Sequence, residues 1–234
     1  MTTAPADVAI DTDDPAAFLA AGDFVDHENP AVRRWVEETV DGAVGTEAAV
    51  RVYYDVRDRV RYDPWTVSTD FETYRASALV TRSGTWCVPK ATLFVAGCRA
   101  AGVPARVGLA DVRNHLASPK LLEALGTEMF HYHGYAEAHV GGRWVRVTPT
   151  FNKGLCEKFG VHPAEWDGTH DALFHEFDTS GRRHMTYERY HGVFADVPYP
   201  EIFAALKVEY GENYDRLVEY SGGAEGAADA AFSG

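Results

Sequence analysis

Apolar residues recur at helical spacing near the start of the chain. Val32, Trp35, Val36 and Val40 fall three and four apart, which puts them on one face of a helix. Asn29 and Pro30 mark its beginning, an asparagine cap followed by proline at the first helical position, and Gly42 and Gly45 end it. Thr46 caps a second helix carrying Val50, Tyr53, Tyr54, Val56 and Val60. The Asp63-Pro64 step stops it, because a residue before proline is pushed out of the helical region. Residues 63 to 75 read as a loop anchored by Trp65, Phe71 and Tyr74, and residues 76 to 80 as a short helical turn.

The pattern then changes. From Cys87 to Ala101 small and apolar residues dominate, which predicts a buried helix closed by Gly102 in the left-handed conformation. Residues 104 to 112 read as a strand, and Ser118 and Pro119 start a short helix ending near Gly126. Residues 130 to 140 and 143 to 150 are two β-rich runs joined by Gly141 and Gly142, the signature of an antiparallel hairpin. Past Thr150 the periodicity fades into loop and short helix, and residues 201 to 220 form a final helix. Helices first, a central helix next and an antiparallel sheet after it make an α+β pattern, not an alternating βαβ one.

Composition narrows the partners. The 234 residues are 46% hydrophobic, enough for a substantial core, and carry a net charge of −13. That charge argues against nonspecific nucleic-acid binding and against an anionic membrane, both of which need a basic surface. No stretch approaches the ~20 apolar residues of a membrane span, and residues 1 to 14 have no apolar segment of a secretory signal. Cys87, Cys98 and Cys156 form neither a disulfide framework nor a CxxC metal pair, so a cytoplasmic setting is expected, with no metal or other cofactor.

Chemistry centres on Cys87, in the first turn of the buried helix. The helix dipole and free backbone N–H groups there favour a thiolate, and the Cys87 N–H is a candidate oxyanion donor. His133, on the first hairpin strand, is the candidate base, with Glu137 four residues on and on the same face. In a tight hairpin the end of the second strand lies beside the start of the first, so a group near Thr148 to Thr150 can orient the imidazole. His131 also shares the His133 face, which raises a metal pair that would need Cys87 or Glu137 as a third ligand. Cys98 and Cys156 read as structural. Trp65 and Tyr74 are aromatic anchors that stand before the cysteine. The aromatic, His- and Asp-rich segment from 151 to 199 reads as a cap over the core more than as a substrate lid.

Four segments together resemble the transglutaminase-like superfamily: Gly84-Thr85-Trp86-Cys87-Val88-Pro89-Lys90-Ala91, Arg99 through Arg106, His133-Gly134-Tyr135-Ala136-Glu137 and Trp144 through Thr150. The resemblance spans roughly residues 46 to 152. It implies a papain-like core with the nucleophilic cysteine at the N-terminus of a central helix packed on an antiparallel sheet. It also implies acyl transfer at amide bonds by a Cys–His–Asp set. Cys87 and His133 carry over, but the position of the acidic member is Thr148 here. Asn152, four residues on, is a second candidate orienter.

On this reading residues 1–45 are a leader and helix, 46–152 the catalytic core, 153–220 a cap packed on the core and 221–234 a disordered tail. The expected function is a cysteine hydrolase or acyltransferase working through a thioester, on a peptide or a small amide-containing substrate. Protease or amidase action is favoured over transfer to an amine. The alternatives are a thioester-dependent acyltransferase and a non-catalytic binding module that keeps the fold.

Overall fold

A computed structural model describes residues 12–220, so the expected leader (in large part) and tail lie outside the described residues. Two helices open the fold, α1 (Pro30–Val40) and α2 (Gly45–Arg59). Asn29 caps α1 by accepting the Ala31 N–H, with Pro30 next, as the sequence predicts. The second helix starts one residue before Thr46 and has no side-chain cap. It ends at Arg59, ahead of Pro64, because the chain turns into a two-residue strand, β1 (Arg61–Tyr62). Residues 63 to 75, expected as loop, contain two short 3-10 turns started by the carboxylates of Asp63 and Asp70. A four-residue helix, α3 (Ala76–Leu79), and β2 (Gly84–Thr85), parallel to β1, lead to the central helix.

That helix, α4 (Cys87–Ala100), is buried from Cys87 to Arg99. A helix apolar on every side must be covered on every side. Strands β3 (Ala105–Asn114) and β4 (Met129–Val140) cover one face, and α1, α2 and α3 the other. At Gly97 a Cβ would stand 2.5 Å from Val52 Cγ1 and 2.9 Å from Trp35, so only glycine lets α1 and α2 approach this closely. Lys90, fully buried in the same helix, donates its ammonium to the carbonyls of Arg57 and Val60 at the end of α2. Burial pushes its pKa well below that of a free lysine.

The sheet has the order β5-β4-β3-β6, all antiparallel. β4 and β5 (Arg143–Val147) are the expected hairpin, turned at Gly141 and Gly142, both at positive φ. The short helix α5 (Pro119–Leu125) runs from the Ser118 cap to Gly126. Arg106 on β3 pairs with Glu137 on β4 at 2.7 Å and lies over Trp144 of β5, which locks the three strands in register.

The C-terminal third departs from the sequence reading. After α6 (Lys153–Phe159), the ten residues of β6 (Met185–Phe194) form a fourth strand against β3 where only loop and short helix are expected. The predicted final helix is two, α7 (Tyr199–Tyr210) and α8 (Asn213–Tyr220), broken at Gly211 with φ +51°. Among the described residues no helix is long and apolar enough to cross a membrane.

Candidate active site

The first turn of α4 abuts the middle of β4. A Cβ on Gly134 would lie 2.6 Å from Val88 Cα and 2.9 Å from Val88 N, so only glycine permits this contact. It brings the residue before it, His133, to the turn that carries Cys87, and both side chains line one pocket. Gly134→Ala is therefore expected to cost about 2–4 kcal/mol of stability, in the range of overpacked cores. Urea unfolding would show it, and an unchanged midpoint would refute the close packing.

His133 is buried, and its Nε2 lies 3.1 Å from Thr148 Oγ1, just past the end of β5. With Nε2 as the donor, Nδ1 is left as the basic nitrogen of the ring. Thr148 Oγ1 in turn lies 3.4 Å from Thr150 Oγ1, and its backbone N–H is held by Ala172. Of the two expected orienters the structure brings Thr148 to the imidazole. Asn152 is turned elsewhere: its Oδ1 accepts the Tyr62 N–H of β1 at 3.2 Å. That N–H faces away from β2 in the two-residue ladder, so Asn152 satisfies a donor the short strand leaves over.

Electrostatics reverse one expectation. The thiol of Cys87 is pushed up to about 12 by burial, which outweighs the nearby backbone N–H groups of Gly134, Val88 and Cys87 itself. The helix terminus is present, but burial opposes it and favours the protonated thiol. Burial alone pushes His133 down to about 3. Among the described residues no carboxylate is paired with its ring; the ring meets Thr148, Phe174 and Tyr187, the last two with centroids 5.0 and 6.1 Å away. Burial thus favours the uncharged form of each partner.

His131 lines the same pocket, and its buried Nδ1 makes no hydrogen bond. Its Nδ1 is 3.4 Å from Asp111 and its Nε2 3.9 Å from Glu209 of α7. Tyr132 between the two histidines has φ +54°, opposite a register shift in β3, so the regular two-residue alternation of the strand is broken between them. Among the described residues no group of three or more His, Cys, Asp or Glu is placed to hold a metal ion. Glu137 is drawn away by Arg106. Cys98 and Cys156 are buried, as expected of core thiols.

Two groups were not read from the sequence. Tyr187, on the unpredicted β6, buries its hydroxyl toward Thr148 without a hydrogen bond of good geometry. Leu206, Tyr210 and Leu217, from α7 and α8, wall the pocket opposite Cys87. A larger cleft of about 370 Å³, between Asn114 to Pro119 and α6, contains neither Cys87 nor His133.

A helix-borne cysteine facing a histidine on an antiparallel sheet is the arrangement of papain-like acyl-transfer folds. The chain belongs to the transglutaminase-like superfamily, whose model matches residues 33–149. Among solved structures it is similar to a candidate cysteine protease from Cytophaga hutchinsonii, at 16% identity and a TM-score of 0.47, over 78% of this chain and 54% of that one. It is also similar to a candidate protease from Parabacteroides distasonis, at 14% identity and a TM-score of 0.38, over 57% of this chain and 26% of that one. The chain thus spans about half the length of the first and a quarter of the second. No curated protein sequence matches it detectably.

Proposed function

We propose that this protein cleaves an amide or ester through a thioester on Cys87. The observation that carries the reading is the Cys87 and His133 pair in one dry pocket, with His133 Nε2 anchored on Thr148. His133 Nδ1 takes the Cys87 proton as the sulfur attacks the carbonyl carbon. The oxyanion develops near the backbone N–H groups of the first turn of α4. Collapse breaks the bond to the leaving group, which takes the proton from His133, and leaves the acyl group on Cys87. Water then gives a proton to His133 and attacks the thioester; the acid departs and Cys87 recovers its proton.

With burial favouring the uncharged form of each partner, the proton moves in step with attack, as in a hydroxyl nucleophile, not before it. Hydrolysis is preferred over transfer to an amine, since among the pocket-lining residues there is no carboxylate to hold an ammonium.

A non-catalytic binding module is the second reading, favoured by one feature: Thr148 supplies no negative charge to an imidazolium. Mass spectrometry of the intact protein after incubation with activated esters separates the two. The enzyme reading expects an acyl adduct on Cys87, absent from Cys87→Ala and slowed at least about 100-fold in His133→Gln. A protein that never acylates is a binding module.

A further inference from the structure

We infer that the acyl group this site accepts is short and apolar, the acid portion of a small amide or ester and not a segment of polypeptide. The inference rests on the thiol chemistry proposed above and concerns what that thiol acts on. The pocket at Cys87 is walled by three separate parts of the chain: Pro64 and Val67 after β1, Leu121 and Leu125 of α5, and Leu206 and Leu217 of α7 and α8. Among the described residues no Lys, Arg, Asp or Glu side chain lines it.

Its polar groups are few. Besides Cys87 and the two histidines there are two tyrosines and Trp86, whose buried indole N–H has no hydrogen-bond partner and is free to donate to one carbonyl. The Tyr210 hydroxyl is taken, accepting the His131 N–H at 3.0 Å and lying 3.3 Å from the Met129 carbonyl. These few groups include no charged side chain to pair with a charged acyl group, and they are too few for the repeated N–H and C=O groups of a polypeptide, which cost free energy when buried unpaired.

Size points the same way. The room inside is about 50 Å³. Cys87 is only 6% exposed and His133 2%. A scissile bond with chain running both ways needs room along a groove across the thiol; a narrow, largely apolar pocket of this size receives one short arm. Burying that arm gives the binding energy that a small substrate can use at the reacting carbonyl.

The test is a series of p-nitrophenyl esters from acetate to decanoate, with succinate monoester as the charged probe. Both p-nitrophenol release and the adduct on Cys87 are followed. The inference expects kcat/KM to rise about fourfold per methylene, the worth of one buried CH₂, and to fall once the pocket is full. Leu217→Ala moves the optimum to longer chains and Leu217→Phe to shorter ones. Succinyl ester reacts at least about tenfold more slowly than butyryl ester. Acylation of Cys87 with no dependence on chain length, or equal use of the succinyl ester, overturns the inference and leaves the thiol mechanism standing. Absence of any adduct on Cys87 overturns both.

Discussion

Thr148→Asp is expected to convert Cys87 from a sluggish thiol into a reactive one at neutral pH. In the native protein Cys87 is held up to about 12 and His133 down to about 3, each by burial. Iodoacetamide at pH 7 should therefore label Cys87 slowly, as it should the buried Cys98 and Cys156. An aspartate at 148 puts a negative charge on the far nitrogen of the imidazole. A carboxylate at that distance raises a histidine by about one to three units. Each unit multiplies the population of the thiolate–imidazolium pair by ten, and the attraction between its two charges adds to it, so labelling of Cys87 should accelerate while the other two cysteines stay slow.

The surroundings can hold that carboxylate. His133 Nε2 and the Thr150 hydroxyl already face position 148, and the buried Tyr187 hydroxyl points there with no good partner. Thr148→Asn is the control, close in shape and without charge, and should label at the native rate. A folded aspartate variant that labels no faster than the asparagine one would show that His133 does not communicate with Cys87, and would remove the dyad from the mechanism.

This electrostatic state explains what was legible in the sequence and what was not. Cys87 at a helix start, His133 on a hairpin strand and Thr148 at the end of the next strand all follow from local signals: a buried helical run, a Gly-Gly turn and strand register. These place backbone, and backbone placement is what brings His133 to Thr148. The charge state depends on what covers the pocket, and the cover comes from α7 and α8, more than a hundred residues after Cys87. Those helices are periodic enough to be seen, but nothing local says where they dock.

The missed strand has its own cause. β6 is an edge strand with Glu188, Arg189, His191 and Gly192 in its middle and two register shifts against β3, so it has no clean two-residue alternation. Asn152 fails as an orienter for a related reason. Counting four residues from Thr148 assumes the strand continues, whereas the chain has already turned into the cap of α6 and toward β1.

Mild acid should unfold this protein well before its carboxylates titrate. His133 is held near 3 and His184 near 4, both mainly by burial, and His27 is lowered in the same way. In the unfolded chain each titrates near 6.5. Below that value the unfolded state binds protons the native state refuses, so stability falls as pH falls and is fully present only above about pH 6.5. For His133 and His184 together the slope is about 2–3 kcal/mol per pH unit between pH 6.5 and roughly 4. Asp58 and Asp111 are held below the usual carboxylate value by their Arg and His partners and by backbone N–H groups, and lose their contribution only beneath about pH 4. The two windows are therefore separate. Urea unfolding at pH 7.5 and 5.0 should differ by about 4 kcal/mol, a large share of a typical domain's stability. His133→Gln with His184→Gln should flatten most of that difference while lowering stability at pH 7.5 far less. If native stability is level from pH 7.5 to 5.0, His133 is not a dry, neutral imidazole. The concerted proton transfer proposed for Cys87 would then give way to a preformed ion pair.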